Sequence, residues 1–404
     1  MRRNMSKEKT IVTMTIDVAR ARAETPGAEK VMHFNNAGAS LPPKPVLDAV
    51  IAHLVAEAEK GGYEAADDAA AKLDSTYRSL ARLIGARPDE IAYVENATRA
   101  WDMAFYAFDF RPGDRILIAR TEYASNAIAA LQVAKRSGAR VEYIPSDETG
   151  AVDAAALARL IDDKVRLIAI THVPTNGGLV NDAAAVGKVA RAAVIPFLLD
   201  ACQSVGQIAI DVETIGCTML SATGRKYLRG PRGTGFLYVR RDWIERLEPP
   251  FLDLHSASWT SPDAFAIRAD AKRFENWESY VAGRIGLGVA ADYALAWGLD
   301  AIEARVGALA ESLRARLADI SGVAVRDLGR RRSGIVTFTV AGRPAGDVKA
   351  ALRALGINVS VSTRAYAQVD MGARGLDALV RASVHYFNTE DEIARLVEAV
   401  GRLA

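Results

Sequence analysis

Between residues 85 and 240 short apolar runs alternate with longer Ala-rich stretches whose apolar positions recur at helical spacing. The runs are Glu90–Val94, Arg115–Ala119, Val141–Ile144, Val165–Thr171, Ile195–Leu199, Thr218–Ala222 and Gly235–Val239. Several, such as Leu167-Ile168-Ala169-Ile170, lack the alternating polar positions of a strand with one wet face, so they predict strands covered on both sides. Ser125–Lys135 and Val152–Ile161 leave room for crossover helices. The pattern predicts an α/β core with a mostly parallel seven-stranded sheet, in which ligands sit beyond the carboxyl ends of the strands.

The pattern changes towards the carboxyl end. A long helical segment near Ala282–Ala318 precedes a strand at Ile335–Val340, a helix at Ala345–Leu355, strands at Ile357–Val361 and Val380–Val384, and a helix at Asp391–Leu403. These elements predict a smaller α+β unit. A helix from Val46 to about Lys60, opened by Pro42-Pro43-Lys44-Pro45, is expected to pack with it. The expected division is an extension at 1–30, a small domain from 31–60 and 285–404, and a large domain at 61–284.

Composition narrows the function class. With 51 basic and 49 acidic residues among 404, the formal net charge is +2, which implies neither a nucleic-acid nor a membrane partner. Arg330-Arg331-Arg332 reads as a solvated turn between Gly329 and Gly334. Two cysteines, Cys202 and Cys217, make no disulfide framework; both are expected as small buried hydrophobes, in a reducing compartment. No apolar run reaches the roughly 18 residues of a membrane span and no signal-peptide pattern is evident, so a soluble, cytoplasmic protein is expected. The five histidines show no metal spacing, and no metal site is proposed.

The chemistry concentrates around residues 198–235. Leu198-Leu199-Asp200-Ala201-Cys202-Gln203 ends a buried-type strand on a carboxylate at the ligand face. Downstream, Thr223-Gly224-Arg225-Lys226 places a lysine between a strand end and a glycine-rich turn. Gly230–Gly235 precedes a strand instead of opening a helix, which excludes a dinucleotide loop.

The Asp-x-x-Gln strand end and the later lysine make the chain, over roughly residues 33–400, similar to the class V aminotransferase family of fold-type-I enzymes that use pyridoxal 5'-phosphate (PLP). That resemblance implies that Asp200 pairs with the pyridine nitrogen of PLP, that Gln203 touches its phenolic oxygen, and that Lys226 holds it covalently and later serves as base. By the same resemblance Ala97 and Thr98, after a strand and opening a helix, hold the phosphate, although Thr98 also suits a plain helix cap. Tyr123 stands where desulfurase relatives place a ring-stacking histidine, and Arg225 where many relatives have histidine. Thr223 belongs to the same cofactor set, and Thr175 falls in the segment beside the phenolic oxygen. Asn36, Ala37, Gly38, Asn176 and Arg381 are implied on the substrate side, Arg381 gripping the amino-acid carboxylate unless it is a strand-edge charge. The family also implies a homodimer with shared sites, so Glu278, Ser279 and Arg284 are expected to serve the partner's cofactor.

Two departures narrow the reaction. Cysteine desulfurases carry a nucleophilic cysteine shortly before the carboxylate arginine, where this chain reads Ser362-Thr363-Arg364-Ala365-Tyr366-Ala367-Gln368. Trp277-Glu278-Ser279 replaces the usual Gly-Thr-Pro and, with Gly61-Gly62-Tyr63-Glu64, resembles the sulfoxide-lyase and isopenicillin-epimerase-like branch. The expectation is a PLP enzyme that eliminates a sulfur-bearing β-substituent from a small α-amino acid. Transamination and α-epimerisation share the same proton abstraction and remain alternatives, as does a non-catalytic protein on a PLP scaffold.

Overall fold

The computed structural model describes residues 15–404, so residues 1–14 of the expected extension lie outside the described residues. Within the remainder of that stretch, Val18–Ala23 is a helix capped by Asp17, and Arg22 is paired with Glu392 at 2.9 Å near the carboxyl terminus.

Fifteen strands are present among the described residues. β1 (Met32–His33) comes first. Then follow β2 (Ile91–Val94), β3 (Arg115–Ala119), β4 (Arg140–Ile144), β5 (Val165–Thr171), β6 (Phe197–Asp200), β7 (Met219–Thr223) and β8 (Gly235–Val239), which form one sheet in the order β2-β8-β7-β6-β5-β3-β4. Only β8 runs against its neighbours. All seven apolar runs are therefore strands of a single mostly parallel sheet, and the central β5 to β8 are buried on both faces as their lack of alternation requires. Helices Ala124–Ser137 and Ala154–Leu160 fill the expected crossovers.

A hairpin, β9 (Ala257–Ser261) and β10 (Ala264–Ile267), stands out from this core with Trp259 and Phe265 exposed. The smaller unit holds β11 (Val323–Val325), β12 (Ile335–Val340), β13 (Ile357–Asn358), β14 (Ser360–Thr363) and β15 (Ala378–Ser383). Four of them form the antiparallel sheet β11-β12-β15-β14, while β13 pairs in parallel with β1.

Two expectations about boundaries change. The stretch 282–318 is two helices, Val281–Trp297 and Leu299–Ala318, set at 79° to each other across Gly298. Gly298 has φ 82° and ψ 121°, a conformation that only glycine adopts without strain. The single expected strand 357–361 is split between two sheets. The helix Lys44–Lys60 lies against Val281–Trp297, where Val50 faces Gly286 so closely that a Cβ there would sit 2.6 Å away. No single helix among the described residues is long and apolar enough to cross a membrane.

Candidate active site

The carboxyl ends of β5, β6 and β7 open into a cavity of about 400 Å³, within the usual range for small-molecule sites. A larger groove of about 740 Å³ lies elsewhere, near Asp182 and Arg331, and contains none of the residues expected to bind cofactor or substrate. Convergent chemistry, not volume, marks the smaller one.

One end of this cavity is the start of helix Ala97–Phe105. Asn96 caps it, its side chain accepting the Arg99 N–H at 2.9 Å, so the cap reading of Thr98 gives way and Thr98 stands in the cavity wall on the first turn. Free N–H groups and the helix dipole at this end favour an anion. Thr223 and Arg225 join the same wall; the Arg225 guanidinium donates to the Gly38 carbonyl.

Asp200 ends β6 at the cavity floor and is 5% exposed. Its carboxylate accepts the Cys202 N–H at 2.8 Å and the Asn126 amide at 3.0 Å. Burial pushes its pKa up; these hydrogen bonds and the Lys226 charge pull it back. Glu122 stands behind Asn126, accepting its amide at 2.9 Å and the Thr171 hydroxyl. Burial moves Glu122 up to about 7, the Thr171 hydrogen bond opposes this, and the Asp200 charge adds to the rise.

Tyr123 and Lys226 line the cavity, as does Thr175. Gln203 Nε2 donates to the Ala37 carbonyl at 3.0 Å and to the Thr175 hydroxyl at 3.1 Å. Arg381 lies inside β15, paired across to Thr337 and Ser360, and is 8% exposed, so it is not a solvated edge charge. Its guanidinium donates to Thr175, and burial lowers its pKa to about 10. Asn36, fully buried, donates to the Ser383 carbonyl at 2.7 Å, which ties the early segment to β15. Asn176 adjoins Thr175 and is buried.

Not every singled-out residue is here. Glu278 is exposed and Ser279 half-buried, and neither lines the cavity of its own chain; Arg284 sits over the Tyr77 ring at 4.6 Å. Cys217 is buried as expected, but Cys202 is half-buried and lines the same cavity as Lys226. Its place two residues after a ligand-facing Asp is the signal that it lines the site. Glu122 and Asn126 were missed: Glu122 lies just before helix Ala124–Ser137 and Asn126 in its first turn, and only the fold brings Asn126 between Glu122 and Asp200.

The class-V aminotransferase family matches residues 32–396. The chain belongs to that family. Family members in the comparison include a probable cysteine desulfurase of Methanothermobacter thermautotrophicus, 29% identical over 95% of this chain and 97% of its own length. Another, from Xylella fastidiosa, is 30% identical over 95% of both chains. The apo cysteine desulfurase of Thermococcus onnurineus NA1 superposes with a TM-score of 0.88 at 26% identity, covering 95% of this chain and 97% of the other. A cystine C–S lyase, C-DES, solved with its product cysteine persulfide, shares the fold with a TM-score of 0.84 at 23% identity, over 93% and 99% of the two chains. This class-V aminotransferase is therefore a PLP-dependent enzyme related to the cysteine desulfurases.

The residues present fit PLP. Among the described residues Gln203 Oε1, Asn176 Oδ1 and Arg381 Nε are buried without a partner, and buried polar groups left unmatched at one place mark where a polar ligand binds. Asp200, carrying a raised pKa, gains a charge partner from a protonated ring nitrogen. Among the described residues no cluster of His, Cys, Asp or Glu is arranged to hold a metal.

Proposed function

We propose that the enzyme is a β-eliminating C–S lyase of the sulfoxide-lyase and epimerase-like branch, acting on a cysteine conjugate or its sulfoxide. The observation that carries this reading is the placement of the thiols. The segment 362–368 leading from β14 towards Arg381 holds none, Cys217 is buried in the core, and Cys202 lies at the cofactor floor beside Asp200. With no thiol on the substrate side to take up sulfur, the β-substituent leaves as a thiol or sulfenate. Water then yields a keto acid and ammonia.

Bound PLP supplies the electron sink for the bond broken at the substrate α-carbon. Arg381, oriented by Thr175, takes the α-carboxylate, and the Asn36–Gly38 backbone closes that side. Lys226 holds the cofactor and moves the α-proton. Asp200, aligned by Asn126, keeps the ring nitrogen protonated. Tyr123, which lines the cavity, would face the cofactor ring, and Ala97, Thr98, Thr223 and Arg225 would hold its phosphate.

The working unit in this reading is a homodimer. Leu47, Ile51, Leu54 and Val55 recur at helical spacing and form an exposed apolar stripe on helix Lys44–Lys60, and Trp259 and Phe265 stand exposed side by side on the β9–β10 hairpin; exposed apolar surface of this kind suits a partner. Glu278, Ser279 and Arg284 then serve the partner's site.

A panel of S-substituted cysteines and their sulfoxides, assayed for keto acid, tests the reaction. Release of keto acid with one equivalent of thiol or sulfenate is expected. No keto acid from any member, or accumulation of a stoichiometric pyridoxamine form, overturns it.

A further inference from the structure

Arg229 has no part in the chemistry above, yet the fold invests heavily in it. It is 1% exposed and sits at φ 61°, one of two non-glycine residues at positive φ among the described residues. The other, Val194, is on the surface. A left-handed conformation is strained for a residue with a Cβ and persists only where the surroundings over-determine it. Around Arg229 they do. Nε donates to the Leu41 carbonyl at 2.9 Å, Nη1 to the Tyr386 hydroxyl at 2.7 Å and Nη2 to the Thr25 hydroxyl at 2.6 Å. The guanidinium also lies 4.6 Å from the Phe387 ring centroid. Among the described residues no carboxylate bonds to it, and its charge is held by neutral oxygens and ring faces.

The two ends of this clamp are both functional. The Arg229 N–H donates to the Lys226 carbonyl at 2.9 Å, closing the turn that presents the lysine. Tyr386 lies just beyond β15, the strand that carries Arg381. His385 adds a parallel tie, its Nε2 2.8 Å from the Tyr227 carbonyl. We propose that Arg229 is a positioning residue that fixes the Lys226 turn relative to the Arg381 strand through the Tyr386 hydroxyl. Lysine and carboxylate-binding arginine come from different domains, and the α-proton is reached only when their separation matches the substrate. This inference rests on the reading of Lys226 as the cofactor lysine and Arg381 as the carboxylate group.

The test uses three variants of the full chain. Tyr386→Phe removes one hydroxyl, Arg229→Lys keeps charge without the fork, and Arg229→Gly frees the turn while relieving the backbone. In each, the visible band that develops when PLP is added to cofactor-free protein should appear about tenfold more slowly. kcat per bound cofactor should fall about 10- to 100-fold with a much smaller change in KM, the scale expected for a misplacement near 1 Å. Variants that melt lower but show wild-type band development and kcat per bound cofactor overturn the proposal, since Arg229 is then structural only. So does Arg229→Gly behaving as wild type. A visible band that survives Lys226→Ala unchanged overturns the underlying reading instead, whatever the Arg229 variants do.

Discussion

Glu122 shows how a residue outside the reaction shapes the site. Fully buried, it accepts from Asn126, which in turn orients Asp200, and in the cofactor-free protein its carboxyl keeps its proton up to about pH 7, not the ordinary 4.5. Because the folded state binds this proton more tightly than the unfolded chain, its contribution to stability is complete below about 4.5 and is lost as pH rises through about 7. The loss is on the order of 3 kcal/mol. Denaturant titrations of the cofactor-free protein should therefore show stability declining across that window, and Glu122→Gln, which keeps the amide partner, should flatten the decline. An unchanged slope in the variant would assign the effect to another group. At Lys226 the expectation is sharper: Lys226→Ala should lose the visible band and at least about 10³-fold in keto-acid release, as removal of an acid–base group does.

Among the elements, glycine decides where helices can go. Gly187 lies inside helix Ala183–Ala192, and a Cβ there would stand 1.8 Å from the Ile215 carbonyl oxygen. Only a bare backbone lets this helix cross so close to residues 215–216, at the turn that leads into β7. Gly187→Ala should cost about 1–3 kcal/mol, seen as a lower denaturation midpoint with unchanged slope. At the start of helix Glu390–Gly401, Thr389 and Glu392 form a reciprocal capping box, each side chain accepting the other's N–H at 3.1 Å. Thr389→Ala should cost about 1 kcal/mol without changing cofactor loading.

At the scale of the molecule, the exposed apolar stripe on helix Lys44–Lys60 bears on assembly. The proposed homodimer predicts that Ile51→Lys combined with Leu54→Lys yields a monomer by light scattering, with activity reduced because Glu278, Ser279 and Arg284 no longer meet a partner's site. A wild-type chain that is monomeric at micromolar concentration and fully active would defeat that assembly.

Much of this was legible in the residue order, for a physical reason. A strand buried on both faces must be apolar throughout, so β5 is visible as Val165–Thr171 before any coordinates exist. A parallel strand that ends on Asp200 must present it at the ligand edge, and Lys226 follows β7 at the same edge. What the sequence determined by itself is thus the large sheet and the residues delivered to its rim, because both follow from local period and strand direction. Contacts between distant segments leave no local period. The turn at Gly298, the split of residues 357–363 between two sheets, the burial of Arg381 against Thr175 and the clamp on Arg229 were decided only by tertiary structure. Each depends on which surfaces meet after the chain has folded back on itself, as residues 25, 41, 229 and 386 do around one guanidinium.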